Sequence, residues 1–66
     1  MLRIRHVLWE KHMRQADLAR KAKLNTASVS RICNGKEPAY SQRATRIAEA
    51  LGWEGNPAEL FEEVEE

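Results

Sequence analysis

Arg31 carries a planar guanidinium whose fork can bond guanine O6 and N7 together, and it lies one helical turn beyond Ala27. Thr26 and Ala27 offer small methyl surfaces suited to the methyl group of thymine. Asn25 and Ser30 add a short amide and a hydroxyl, so Asn25, Thr26, Ala27, Ser30 and Arg31 form a candidate base-reading set. The set is small in volume, which implies a sparse direct code supplemented by duplex shape and bridging water. Ser28 is expected to pack or to meet a phosphate, while Val29 and Ile32 point to a core. Tyr40, Ser41, Gln42 and Arg43 open a later helix, whose N-terminal N–H groups favour an anion. Arg14 is a further phosphate candidate.

Catalytic chemistry has no comparable set. There is no Gly-rich phosphate loop, no nucleophile beside a base and no carboxylate pair. His6 and His12 stand six residues apart, on different faces of a helix, and Cys33 has no Cys-x-x-Cys partner. No metal site, cofactor, small-molecule ligand or enzymatic activity is expected.

Charge is segregated along the chain. All eleven Lys and Arg lie between Arg3 and Arg46, opposed there only by Glu10, Asp17 and Glu37, so this span carries +8. Residues 47–66 hold seven glutamates and no base, a charge of −7. The overall +1 conceals a basic body and an acidic tail. Such a body fits a polyanionic partner, above all nucleic acid. The tail should repel phosphate and lie away from it.

Sixty-six residues allow one small domain, spanning 1–66. Composition is that of a soluble globule, and no run approaches the apolar length of a membrane span. Met1-Leu2-Arg3-Ile4-Arg5 lacks the apolar stretch of a signal peptide, and a single cysteine fits a reducing cytosol.

Apolar residues recur at helical spacing. Ile4, Val7 and Leu8 make one stripe; Leu18, Ala19 and Ala22 a second; Val29, Ile32 and Cys33 a third. Ala44, Ile47, Ala48 and Leu51 make a fourth, and Leu60, Phe61 and Val64 a fifth. Asn25 and Ser41 are expected N-caps, Gly35 and Gly52 expected terminators, and Asn56-Pro57-Ala58-Glu59 a helix start. These signals predict an all-α fold, a compact five-helix bundle with helices near 2–12, 15–22, 26–33, 41–51 and 57–64. Two short helices joined by Lys23-Leu24-Asn25 are a helix-turn-helix. In that arrangement the second helix fits the major groove, which is about 12 Å wide.

Several segments resemble the DNA-binding domain of phage repressor and Cro proteins, the Xre-like, lambda-repressor-like family. They are Gln15-Ala16-Asp17-Leu18-Ala19, then Leu24-Asn25-Thr26-Ala27-Ser28-Val29-Ser30-Arg31-Ile32, then Asn34-Gly35-Lys36. Ile47-Ala48-Glu49-Ala50-Leu51-Gly52 and Glu59-Leu60-Phe61 are similar to its last two helices. The resemblance implies that Gln15 reaches a phosphate and braces the recognition helix. It also implies that Asn34, Gly35 and Lys36 lie against the DNA backbone. Trp53, Leu60, Phe61 and Val64 form an apolar C-terminal patch: Leu60 and Phe61 are expected to close the bundle, and Trp53, Phe61 and Val64 to form a two-fold homodimer contact. Three departures stand out. Lys23 occupies the turn position where the family has Gly. Leu8 and Cys33 replace an Arg–Glu pair, which predicts that they touch. The loop Trp53-Glu54-Gly55-Asn56 is about two residues longer than in the family.

The expected function is a sequence-specific, double-stranded DNA-binding transcriptional regulator. It would be a bacterial or phage-encoded, cytoplasmic repressor, nucleoid-associated when bound, acting on a pseudo-palindromic operator through helix 26–33. The alternatives are an antitoxin-type protein that binds a partner toxin through the acidic tail and autoregulates, and a protein-interaction module that does not read DNA.

Overall fold

The chain is described by a computed structural model over residues 1–65. Four α-helices follow one another: α1 (Arg3–Glu10), α2 (Gln15–Ala22), α3 (Thr26–Cys33) and α4 (Ser41–Leu51). A 3-10 segment, Pro57–Phe61, follows α4. No helix among the described residues is long and apolar enough to cross a membrane.

Among the described residues the architecture is all-α but holds four α-helices, not five. Asn56 and Pro57 start the last segment as expected: Asn56 Oδ1 accepts from Ala58 N–H at 3.0 Å, and Glu59 Oε1 accepts from Asn56 N–H at 3.0 Å. The helix does not propagate, because the following backbone is taken by the N-terminus. At Glu62 the chain turns extended (φ −85°, ψ 144°). The Glu62 carbonyl then accepts from Arg3 N–H at 2.9 Å, and Val64 N–H donates to the Met1 carbonyl at 2.9 Å. Glu59, Glu62 and Glu63, three and four residues apart with no base among them, would also repel one another along a helix. Val64 therefore lies outside any helix.

All four α-helices close in the same way. His12, Lys23, Gly35 and Gly52 each take positive φ (54°, 59°, 75° and 71°) just past a helix end. Behind each, two N–H groups fold back onto the last turn. For α1 these are Met13 N–H to the Leu8 carbonyl at 2.9 Å and His12 N–H to Trp9 at 3.1 Å. This closure stops α1 at Glu10, two residues before the end expected from the sequence. Lys23 takes the left-handed turn where the resembling family has Gly.

The stripes converge on one core. Ile4, Leu18, Val29, Ile32, Cys33, Ile47 and Leu60 are all essentially inaccessible, and no polar or charged side chain is buried among the described residues. Leu8 and Cys33 are both members of this buried cluster. α2 packs against both α3 and α4, and the 3-10 segment packs against α1 and α4. The helix-turn-helix is thus braced from behind, while one face of α3 is left exposed.

Candidate nucleic-acid interface

α3 is divided by its own periodicity. Val29, Ile32 and Cys33 are buried, while Thr26, Ala27 and Arg31 are exposed. Ala27 and Arg31, four residues apart, share one stripe of the helix surface. The start of the helix is fixed by Asn25, whose Oδ1 accepts from Ala27 N–H at 2.8 Å. That bond commits the amide oxygen and leaves the Nδ2 donors outward.

The hydroxyls expected near DNA are partly engaged. Ser28 and Ser30 are half-buried. Ser28 Oγ accepts from Arg31 Nη2 at 3.3 Å, and Ser30 Oγ accepts a long bond from Asn34 Nδ2 at 3.5 Å. Ser30 therefore tethers the turn after α3 as well as bordering the exposed face.

The phosphate candidates occupy helix starts and one turn. Gln15 is the first residue of α2 and half-buried; Arg14 stands at its N-cap with its N–H held by Asp17 Oδ2 at 3.1 Å. Asn34, Gly35 and Lys36 are exposed, with Gly35 in the left-handed turn. Ser41, Gln42 and Arg43 form the exposed first turn of α4. Ser41 is not its cap: Tyr40 holds that position, without a side-chain cap bond, and Ser41 is the first helical residue. Tyr40 itself is 72% exposed.

Glu37 is the member of this surface that no sequence signal announces. Its Oε1 accepts from Arg31 Nε at 3.1 Å and its Oε2 from Arg43 Nη1 at 2.7 Å. It lies six residues from each, a separation with no helical or strand meaning. The only hint was a lone carboxylate within a basic stretch. The hydrogen bond from Arg31 holds its carboxyl below the ordinary glutamate value. Burial opposes this as the next largest influence, and the charges of Arg31 and Arg43 and the hydrogen bond from Arg43 add to the lowering.

Trp53 and Phe61 are half-buried against the core, and Trp53 Nε1 donates to the Asn56 carbonyl at 3.1 Å. Val64 is half-buried in the paired strand-like stretch. The most exposed large apolar side chain among the described residues is Trp9 of α1, at 79%. Glu63, expected away from any phosphate, borders the same shallow groove as Gly35 and Lys36. The Met1 ammonium holds its carboxylate at 3.2 Å.

Set against known families, residues 3–66 match the model described as a Cro/C1-type HTH DNA-binding domain. No curated protein and no solved structure matches the chain.

Proposed function

The chain belongs to the Cro/C1-type HTH DNA-binding domain family, and from that premise we propose that it is a repressor whose α3 reads a pseudo-palindromic operator. The observation that carries this reading is the division of α3. Its buried stripe locks the helix to α2, and its outward stripe presents Thr26, Ala27 and Arg31. In the proposed complex Arg31 bonds a guanine, Thr26 and Ala27 meet thymine methyl groups, and Asn25 and Ser30 border the same base pairs.

The candidates for phosphate contact are Arg14, Gln15, Ser28, Asn34, Gly35, Lys36, Tyr40, Ser41, Gln42 and Arg43. The N-termini of α2 and α4 add backbone N–H groups to these side chains. A homodimer formed through Trp53, Phe61 and Val64 places two copies of α3 one helical turn apart, about 34–36 Å.

Selection of binding sites from random duplexes tests the reading, with wild type compared against Arg31→Ala. The expected product is an inverted repeat that loses its preference at one base pair per half-site in the variant. Losing one bidentate contact costs about 1–3 kcal/mol. Enrichment without symmetry would remove the dimer and keep the reader. Salt-sensitive binding with no enriched sequence would overturn base reading, and a toxin-binding partner role would then lead.

A further inference from the structure

Arg31 is not a free arm. Its Nε donates to Glu37 at 3.1 Å and its Nη2 to Ser28 Oγ at 3.3 Å, although the side chain is half exposed (50%). No partner among the described residues takes Nη1. Both terminal nitrogens therefore retain N–H groups, which is the end of the fork that a guanine edge requires. Glu37 is the less exposed member, at 26%, and its second oxygen is held by Arg43 at 2.7 Å. Arg43 is the third residue of α4, so one carboxylate links the base-facing side of α3 to the start of α4.

An arginine that reaches DNA from an unconstrained ensemble must be ordered on binding, at about 0.5–1.5 kcal/mol per long side chain. A carboxylate facing a polyanion, by contrast, weakens general attraction. Glu37 does both: it orders Arg31 before contact and offsets one of the two positive charges beside it. We propose that Glu37 is a specificity-determining positioning residue, which exchanges general DNA attraction for a pre-oriented Arg31. The proposal rests on the reading of Arg31 given above.

Two variants separate geometry from charge. Glu37→Gln keeps the shape and removes the charge. Glu37→Asp keeps the charge but is one methylene short of spanning both guanidinium groups. Site selection and competition binding against unselected duplex are measured for each, with folding checked by circular dichroism.

In both variants the preference at the base pair identified through Arg31→Ala is expected to weaken about 2- to 10-fold, the range set by ordering one side chain. Preferences elsewhere in the site should hold. Glu37→Gln alone should bind unselected DNA more tightly, with a salt slope steeper by about 0.9. Unchanged preference at that base pair in either variant would overturn the proposal, because Glu37 would then be only a charge, while Arg31 would remain a reader. If Arg31→Ala itself left every preference intact, base reading by Arg31 would fail first and the proposal with it.

Discussion

Leu2 pairs with Glu63 in an isolated antiparallel bridge, so the two ends of the described chain hold each other. Arg3 N–H to the Glu62 carbonyl and Val64 N–H to the Met1 carbonyl, both 2.9 Å, flank the bridge. The side chain of Leu2 also lies close to Gly35, where an added Cβ would meet Leu2 Cδ1 at 3.9 Å. The paired ends therefore support the turn that follows α3. The Met1 ammonium also donates to the Val64 carbonyl at 3.2 Å. A chain ended after Phe61 is expected to lose about 1.5–4.5 kcal/mol, the net worth of three such hydrogen bonds. Urea unfolding followed by circular dichroism measures it. Its remaining folded fraction should bind DNA more tightly at low salt, since Glu63 then no longer borders Lys36. Unchanged stability would mean that the bridge contributes nothing.

Lys23 holds φ 59° and ψ 44°, with Leu24 N–H donating to the Ala19 carbonyl at 2.9 Å and Lys23 N–H to Arg20 at 3.3 Å. The turn geometry is that of a glycine terminator carried by a residue with a Cβ. Lys23→Gly is expected to stabilise the chain by about 0.5–1 kcal/mol, the relief of left-handed strain less the added freedom of the unfolded glycine. A higher urea midpoint with an unchanged slope would show it.

Where the sequence was readable, the signal was a residue type tied to one backbone need. Asn25 before α3, Gly35 and Gly52 after α3 and α4, and the apolar stripes of α2 to α4 mark those helices because few other residues serve as well. The signal fails where an ordinary residue does an unusual job. His12 ends α1 in the same left-handed turn as the glycines, and nothing in its type says so. Residues 62–64 continue an apolar helical pattern through Val64, yet backbone pairing with Met1–Arg3 outweighs that pattern. Within the candidate interface, exposure of Thr26, Ala27 and Arg31 follows from periodicity. The engagement of Arg31 by Glu37 does not, because it depends on how the loop between α3 and α4 returns.

Gly55 stands in the lengthened loop where a side chain has no room. A Cβ there would collide with Glu59 Oε1 and fall 3.1 Å from Trp53 Nε1. Glu59 can swing away, but only by releasing the Asn56 N–H that it holds at 3.0 Å. Gly55→Ala is therefore expected to cost about 0.5–1.5 kcal/mol, one cap hydrogen bond. Glu59→Ala should cost a similar amount, and the double variant little more than either alone, because both remove the same bond. Additive losses in denaturant titrations would rule out that coupling.

Cys33 is wholly buried on the inner face of α3, and that burial pushes its thiol up to about 11, with the charge of Arg5 acting the other way. The unfolded chain releases this proton near the ordinary value of 9.0, well before the native chain does. Above that pH the unfolded state binds fewer protons than the native state, so stability must fall as pH rises. The contribution is fully present below pH 9 and is lost as pH climbs toward about 11. Cys33→Ala lacks the group, so its unfolding free energy should fall less steeply over that window than that of wild type, and the difference between them isolates the thiol. At pH 8 the native thiol should react with a maleimide far more slowly than the urea-unfolded chain, because only the thiolate reacts and burial suppresses it. Equal rates in the two states would place Cys33 at the surface, and with it the buried stripe that holds α3 in position.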